Sequence, residues 1–337
     1  MTNLKVACVG AGYFAQFHFD SWSRMPRAEL VGVCDRDEAK AAISGAPTYS
    51  DVGEMLQILG PDILDVIVPP VAQADVVRQA LSHGTKTIIC QKPFMRSLEE
   101  AREIAAEASA AGATLIVHEN FRFQPWYRVI KSEVDAGRIG TLQNMSFRMR
   151  PGDGQGPEAY LDRQPYFQQM ERFLVHETGV HWIDTYRYLA GEPQAVYADL
   201  RQLNPAISGE DAGYIIFDFP GNVRALLDGN RHIDHLAENH RFTMGEGHVE
   251  GTDGVLEIMG DGSVWFREKG SMTRKKIFEV VEHKGFAGDC VHALNAHVVA
   301  ALLDGAQFEN LANEYLKVIE IEEAVYRSAK EGCKVTL

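Results

Sequence analysis

Three polar side chains in the stretch HETGVHWID, residues 176–184, have the types and spacing of an acid–base site. Glu177 and His181 are four residues apart and Asp184 is three further on, so on an α-helix the three share one face. A carboxylate beside an imidazole orients the ring and raises its basicity, which suits proton transfer near neutral pH. The alternative is an ion pair on a helix surface, which the apolar neighbours Val180 and Ile183 disfavour.

The same stretch resembles a zinc-protease motif, but its histidine spacing argues against a metal. His176 and His181 are five residues apart, about 140° around a helix, whereas a helical zinc site needs two histidines four apart. We therefore predict no metal site.

A second candidate for chemistry is Lys92, which follows the apolar run KTIIC and precedes Pro93. The proline fixes the backbone, so the ammonium is aimed in one direction. An isolated lysine is ordinarily a solvated surface residue, but this one lies where a strand of a parallel sheet ends, and ligands bind at that edge.

The first turn of the chain, KVACVGAGYFAQF at residues 5–17, has the pattern of a dinucleotide-binding turn. Gly10 permits a sharp bend, Gly12 lets the backbone approach a pyrophosphate, and Ala15 is small enough for close helix–strand packing. Asp35 follows a second apolar run, about 20 residues later, where a carboxylate takes the ribose hydroxyls. The residues that we predict to bind the cofactor are Gly10, Gly12, Tyr13, Phe14, Asp35, Arg36, Pro69, Gln73, Gln91 and Lys92.

The elements that position these residues change in character near residue 120. Up to that point apolar strands alternate with helices, which predicts a parallel sheet wound on both faces, with Asp35, Pro69, Lys92 and Asn120 at the carboxyl ends of strands. After a helix over 174–189, strand-like runs follow one another between turn signals, which predicts a large, mostly antiparallel open sheet. The fold class is α/β, with a Rossmann NAD-binding domain over 1–120 and a substrate-binding and oligomerisation domain over 121–337.

Composition excludes several classes of partner. The chain has 33 basic and 47 acidic residues, a net charge of -14, which disfavours nucleic acid and anionic membranes. Its five cysteines form no CxxC pair, and those at 8, 34 and 90 lie in apolar runs, as core thiols do. With no signal peptide and no membrane-spanning run, we predict a soluble, cytoplasmic protein.

Several motifs together resemble the glucose-fructose oxidoreductase, inositol dehydrogenase and MocA family. They are VGAGYFA with Asp35, VIVPP, QKP at 91–93, NFRFQP at 120–125 and ETGVHWID at 177–184. The resemblance spans nearly the whole chain and implies a Rossmann domain followed by an α/β domain whose open sheet forms dimers or tetramers. It also implies oxidation or reduction of sugars, polyols and related alcohols with NAD or NADP.

The resemblance assigns roles residue by residue, with three departures. The lysine of the family's EKP motif matches Lys92, and its aspartate and histidine match Glu177 and His181. Gln91 replaces the motif's glutamate, Glu177 replaces the aspartate, and Gln73 stands where many members have a histidine.

We therefore predict an NAD-dependent oxidoreductase acting on a sugar, polyol, inositol or cyclic alcohol. His181 takes the hydroxyl proton, Lys92 holds and polarises the oxygen, and Glu177 orients the site. Two alternatives remain open: a regulator that binds NAD without turnover, and an NAD-dependent glycosidase that works through transient oxidation. The residues predicted to contact substrate are Asn120, Arg122, Tyr160, Arg163, Glu177 and His181.

Two further expectations concern cofactor choice and assembly. Asp35 would repel a 2′-phosphate, so NAD is expected over NADP, although Arg36 beside it is able to bind a phosphate. The strands of the second domain carry more apolar residues than one layer of helices buries, among them Ile215, Phe217, Leu226 and Trp265. This predicts a homodimer or homotetramer formed through the open sheet face.

Overall fold

The computed structural model describes residues 3–281 and 284–337, and the chain divides into two compact units. The first unit comprises Met1–Asn120 and Val291–Lys317, and the second comprises Phe121–Cys290 and Val318–Leu337. The division after residue 120 falls where the sequence pattern changes. The segment Val291–Lys317, which the sequence analysis placed in the second domain, belongs instead to the first unit.

The first unit contains a six-stranded sheet with all strands parallel, in the order β3-β2-β1-β4-β5-β6. The strands are β1 (Leu4–Val9), β2 (Ala28–Cys34), β3 (Thr48–Tyr49), β4 (Ile63–Val66), β5 (Thr87–Gln91) and β6 (Thr114–His118). The helices between them are α1 (Ala15–Ser23), α2 (Glu38–Ala41), α3 (Val52–Leu59), α4 (Pro70–Ser82) and α5 (Leu98–Ala110). This strand order is that of a Rossmann fold, which confirms the predicted fold class.

Side-chain caps fix where three of these helices begin. The Asp37 carboxylate accepts backbone N–H bonds at the start of α2, and Asp51 does the same for α3. The Ser97 hydroxyl accepts the Glu100 N–H at the start of α5, which is one half of a capping box. The Glu100 carboxylate, however, accepts the Arg96 N–H rather than reaching back to Ser97.

The segment Val291–Lys317 joins the first unit through polar contacts that sequence patterns do not reveal. It contains most of α9 (Cys290–Asp304) and the start of α10 (Ala312–Glu331). The Asn295 amide donates to the Ser21 hydroxyl of α1 at 3.0 Å, and Arg27 forms a two-point ion pair with Asp304. These partners lie more than 270 residues apart in sequence, so local patterns carry no sign of them.

The second unit is built on a nine-stranded sheet in the order β14-β13-β12-β11-β7-β10-β9-β8-β15. Its strands are β7 (Leu142–Met149), β8 (Ala195–Arg201), β9 (Ala212–Asp218), β10 (Arg224–Asn230), β11 (Gly245–Gly251), β12 (Gly254–Ile258), β13 (Val264–Glu268), β14 (Lys275–Phe278) and β15 (Val335–Thr336). Its helices include α6 (Pro125–Asp135), α7 (Val180–Ala190), the short α8 (His240–Thr243) and the rest of α10. Only the β7–β10 pair is parallel, so the prediction of a mostly antiparallel sheet is confirmed.

One face of this sheet packs on α7, which corrects the residues that we had expected on the open face. Ile215 and Phe217 are buried, and the Phe217 ring lies 5.8 Å from that of Tyr186 on α7. Because side chains alternate along a strand, Tyr214 and Ile216 instead point to the opposite face, where they are 42% and 36% exposed. The open face is therefore less apolar than the sequence analysis assumed.

Four of the five cysteines are core residues, and Cys333 is exposed. All five are free thiols, and Cys8, Cys34, Cys90 and Cys290 are buried. Burial raises the pKa of the Cys8 and Cys90 thiols well above the ordinary value. Within residues 3–281 and 284–337, no helix has both the length and the apolar character needed to cross a membrane.

Candidate functional site

The glycine turn after β1 has the shape that a dinucleotide requires. Gly10 has φ +103°, and a Cβ there would lie 2.5 Å from the Ile67 carbonyl oxygen, so only glycine fits. Gly12 is different: a Cβ built on it meets no described protein atom within 4 Å, so packing within the protein does not demand a glycine. Open space over the backbone at this position is what the approach of a pyrophosphate needs.

The Asp35 carboxylate is fixed beside this turn. Its Oδ2 accepts the Ala11 N–H at 2.7 Å, and its Oδ1 accepts the Asp37 N–H at 2.9 Å. Asp35 directly follows β2 and is partly exposed, and both Arg36 next to it and Tyr13 of the glycine turn are more exposed. A carboxylate held at this place is suited to accept the hydroxyl hydrogen bonds of a ribose, so the residues present fit a dinucleotide.

The Lys92 loop is clamped by two buried glutamine amides. The Gln91 Oε1 accepts the Lys92 N–H at 2.8 Å. The Gln73 Nε2 lies within hydrogen-bond distance of the carbonyl oxygens of Gln91 (2.8 Å) and Pro93 (3.1 Å), and its Oε1 accepts the Met95 N–H at 2.7 Å. Gln73 is fully buried, so its amide contacts the loop rather than an open ligand surface. Two of the three departures from the family pattern, Gln73 and Gln91, thus lie around Lys92.

Two further predicted residues lie at strand ends in the first unit. Pro69 is the N-cap of α4, beyond the end of β4. Asn120 follows β6 and is 2% exposed, and its Oδ1 finds no hydrogen-bond partner among the described residues. A buried acceptor without a partner costs free energy, so Asn120 is an exception among the buried polar groups of this unit.

A polar cluster that the sequence did not predict lies buried under α1. Asp65 on β4, Gln91 on β5 and His118 on β6 share one face of the sheet, because Asp65 pairs with Ile89 and Gln91 pairs with His118. His18 and Trp22 of α1 cover that face, and both donate to the Asp65 Oδ2 at 2.7 Å. The signal was Asp65 itself, a charged residue inside the apolar run DILDVIV.

In the second unit, the predicted helix over 174–189 is divided into two parts. Leu174–Gly179 forms a π-helical turn, in which the Val180 N–H donates to the Val175 carbonyl, and α7 begins at Val180. The π turn carries His176 and Glu177, whereas His181 lies in the first turn of α7. Single π turns inside helices occur often at functional sites because they change the direction of the side chains.

The His181 ring is held by stacking. It lies parallel to the Phe121 ring, with the ring centroids 3.8 Å apart and an interplanar angle of 4°, and the residue is 6% exposed. The Thr185 hydroxyl donates to the His181 carbonyl oxygen. His176 turns elsewhere, with its Nδ1 2.7 Å from the Glu322 carboxylate on α10. The two histidines therefore do not point to a common site.

Asp184 does not complete a three-residue face with Glu177 and His181. It is buried and forms a two-point ion pair with Arg122, at 2.8 Å from the Arg122 Nε and 2.6 Å from its terminal nitrogen. This pair bears on two expectations. The Asp184 carboxylate is engaged with a cation, and the Arg122 guanidinium, expected to contact substrate, is largely buried against a carboxylate of its own unit.

Tyr160 and Arg163, predicted to contact substrate, belong to a buried ionic network. The Asp153 carboxylate accepts from Arg163 at 2.6 Å, from Arg231 at 3.0 Å and from the Tyr160 hydroxyl at 3.1 Å. Burial works to raise the pKa of Asp153, but the two guanidinium groups outweigh it, so the pKa lies below its ordinary value. Arg231 also donates to the Thr178 hydroxyl at 2.8 Å. The network thus supports the π turn that carries Glu177.

Comparison with known proteins identifies similar chains over nearly the full length. Residues 4–119 match the model of the oxidoreductase family with an NAD-binding Rossmann fold, and residues 127–257 match the GFO/IDH/MocA C-terminal domain. The chain is 29% identical to D-apiose dehydrogenase from Paraburkholderia graminis, over 99% of this chain and 89% of that protein. It is 24% identical to inositol 2-dehydrogenase from Rhizobium meliloti, over 99% of both chains.

A solved structure shares the fold throughout. An oxidoreductase from Agrobacterium radiobacter, crystallised with NAD+, L-tartaric acid and magnesium, superimposes with a TM-score of 0.89. It is 26% identical in sequence, and the match covers 99% of this chain and 98% of that one.

Proposed function

The chain belongs to the GFO/IDH/MocA family of NAD-binding oxidoreductases, and from this premise we propose that it oxidises or reduces a CH–OH group of a sugar, polyol or cyclic alcohol. The observation that carries the proposal is the glycine turn, with open space over Gly12 and the Asp35 carboxylate fixed beside it. Relatives named for D-apiose and for inositol support the substrate class.

The proposal assigns the cofactor to the first unit. The Gly10–Gly12 turn would lie against the pyrophosphate, and Asp35 would accept the ribose hydroxyls. NAD, when bound, supplies the hydride acceptor or donor. Gln73 and Gln91 clamp the backbone around Lys92, which fixes the point where its side chain leaves the loop.

Proton transfer is assigned to His181, polarisation of the substrate oxygen to Lys92 and orientation to Glu177. The stacked Phe121 ring holds the His181 imidazole in one plane, which a base needs if it is to meet a hydroxyl in a defined geometry. A lysine cation stabilises the negative charge that develops on the substrate oxygen. Glu177 is held on a π turn that Arg231 supports through Thr178.

The experiment that tests the function is a screen of sugars, sugar acids, inositols and diols that follows NADH absorbance. Net formation of NADH from one of them supports a dehydrogenase. Tight NAD binding without turnover of any compound would favour a regulator. Cleavage of a glycoside without net NADH would favour a glycosidase that oxidises its substrate only transiently.

NAD should bind at least tenfold more tightly than NADP. A 2′-phosphate charge 4 Å from the Asp35 carboxylate costs about 4 kcal/mol per unit charge at an effective dielectric constant near 20. Asp35→Asn should lower the ratio of the dissociation constant for NADP to that for NAD by about tenfold or more. Fluorescence titration measures both constants. Asp37→Asn removes the same charge two residues away, at the cap of α2, and is the matched control. Equal affinity of the unmodified protein for both cofactors would contradict the assignment.

We also propose that the protein is a homo-oligomer formed through the open face of the nine-stranded sheet. Ile216 pairs with Leu226 on one side and with Tyr197 on the other, which makes an apolar row across three strands. Charged residues border this row, among them the Asp218–Arg224 ion pair. An apolar centre with a polar rim is typical of protein interfaces.

Light scattering at micromolar concentration should therefore give a mass of two or four chains. Ile216→Asp should lower it to the mass of one chain, because the substitution places a charge in the apolar row. Ile58→Asp is the control, since Ile58 is an exposed apolar residue on α3. A monomeric unmodified protein would exclude this interface.

A cytoplasmic location is the last part of the proposal. It is supported by the five free thiols, none of which is paired in a disulfide.

A further inference from the structure

The hydrogen bonds that link Asp65, His18, Gln91 and the Lys92 N–H are consistent with one tautomer of His18. A backbone N–H only donates, so the Gln91 atom that faces the Lys92 N–H must be the oxygen. The other end of that amide, Nε2, then faces the His18 Nε2 at 3.1 Å. Because an amide NH2 only donates, the His18 Nε2 must carry a lone pair.

The remaining ring nitrogen fixes the state of His18. Its Nδ1 lies 2.7 Å from the Asp65 Oδ2, which also accepts the Trp22 Nε1–H. A ring with a lone pair on Nε2 carries its one proton on Nδ1, and the Asp65 Oδ2 is the acceptor that this proton faces. His18 is therefore neutral, with its proton on Nδ1 and donated to Asp65.

We propose that His18 is a positioning residue for Lys92. His18 acts through the Gln91 side chain, and this requires an amide rather than a carboxylate at position 91. The inference rests on the proposed function, in which Lys92 polarises the substrate oxygen. The hydrogen-bonded chain runs from Asp65 through His18 and Gln91 to the Lys92 N–H. With Asp65 as its one charged member, each donor meets an acceptor.

A carboxylate at position 91 breaks this chain at a defined point. In Gln91→Glu, one oxygen still accepts the Lys92 N–H, but the other faces the lone pair of the His18 Nε2. Binding one proton, on the carboxyl group or on the ring, restores the hydrogen bond. The titratable groups that face His18 are Asp65 and His118, with the Cys8 and Cys90 thiols facing Asp65. The variant thus gains one ionisation that the unmodified protein lacks.

The test compares Gln91→Glu with the unmodified protein between pH 6 and pH 9. The ratio of their turnover numbers should fall by about tenfold or more as the pH rises, which is the effect of losing one buried hydrogen bond next to Lys92. The protection of the Lys92 N–H against hydrogen exchange should fall in parallel. Gln57→Glu adds the same charge on the exposed face of α3 and should show neither change.

A third measurement does not depend on activity or on the variant. In the ring 15N spectrum of the unmodified protein, with the His18 signals assigned from a His18→Gln sample, Nδ1 should be protonated and Nε2 should not. A proton on Nε2, or a turnover ratio that does not change with pH, would overturn the proposal. A variant that folds at pH 6 and unfolds at pH 9 supports it. If no substrate were turned over, the proposed function would fail, but the ring spectrum and the Lys92 exchange would still decide this inference.

Discussion

His181→Ala should lower the turnover number by roughly 10²-fold to 10⁴-fold while leaving the affinity for NAD nearly unchanged. Hydride leaves an alcohol only as its hydroxyl proton is removed, and an imidazole, with an ordinary pKa near 6.5, accepts that proton at neutral pH. The variant should recover part of its activity at high pH, where hydroxide or alkoxide replaces the base. Steady-state kinetics with NAD titration measure both effects, and His83→Ala, at an exposed histidine, is the control.

Lys92→Ala provides the contrast that separates the two roles. It should be at least as damaging as His181→Ala and should show no recovery in alkali, because a cation that stabilises developing negative charge is not replaced by hydroxide. If the histidine variant kept near-normal turnover and the lysine variant were rescued by alkali, the two assignments would be reversed.

Acidification from pH 6.5 towards pH 4 should destabilise the protein steeply, and His118 should account for a large part of the loss. Burial under α1 is the main cause that lowers the pKa of His118 to about 3, although Asp65 and Glu119 oppose the shift. The unfolded chain binds a proton at this histidine near pH 6.5, whereas the folded chain does not until about pH 3. Between pH 6.5 and about pH 3 the unfolded state holds one more proton than the folded state. The free energy of unfolding therefore falls as the pH falls, by about 4 kcal/mol in total.

Denaturant unfolding of His118→Leu at a series of pH values measures this contribution. Between pH 4 and pH 6 the free energy of unfolding should change with a slope about 1.4 kcal/mol per pH unit smaller than in the unmodified protein. Altered packing in the variant changes the free energy of unfolding by the same amount at every pH. The change in slope therefore reports only the proton that His118 binds. Parallel curves would show that His118 does not titrate in this way. Asp65, whose pKa is also lowered, acts in the same direction but below this window.

The sequence by itself determined the fold class and the cofactor class. Alternating apolar strands and helices dictate a parallel sheet, and the spacing from Gly10 to Asp35 places a carboxylate beside the first turn, because both follow neighbouring strands. The change of pattern near residue 120 marks the point where the second unit begins. These features are local, so periodicity and turn chemistry are enough to read them.

The tertiary structure decided which polar side chains are available for chemistry. Arg122, Tyr160 and Arg163 had the right types and lay near the right motifs, but Asp184 and Asp153 bind them within the second unit. Whether a guanidinium faces a ligand or a buried carboxylate depends on partners up to 62 residues away, which spacing along one helix does not report.

The roles of the residues around Lys92 likewise depend on contacts that spacing along the chain does not show. Gln73 and Gln91 are departures from a motif when read along the chain, yet in the folded unit they are the two amides that hold one loop, with His18 and Asp65 behind Gln91. All of these contacts except the one between Gln91 and Lys92 join separate strands and helices of the first unit. Burial makes every unpaired donor or acceptor costly, so only the assembled sheet, and not the order of residues, fixes which groups must pair.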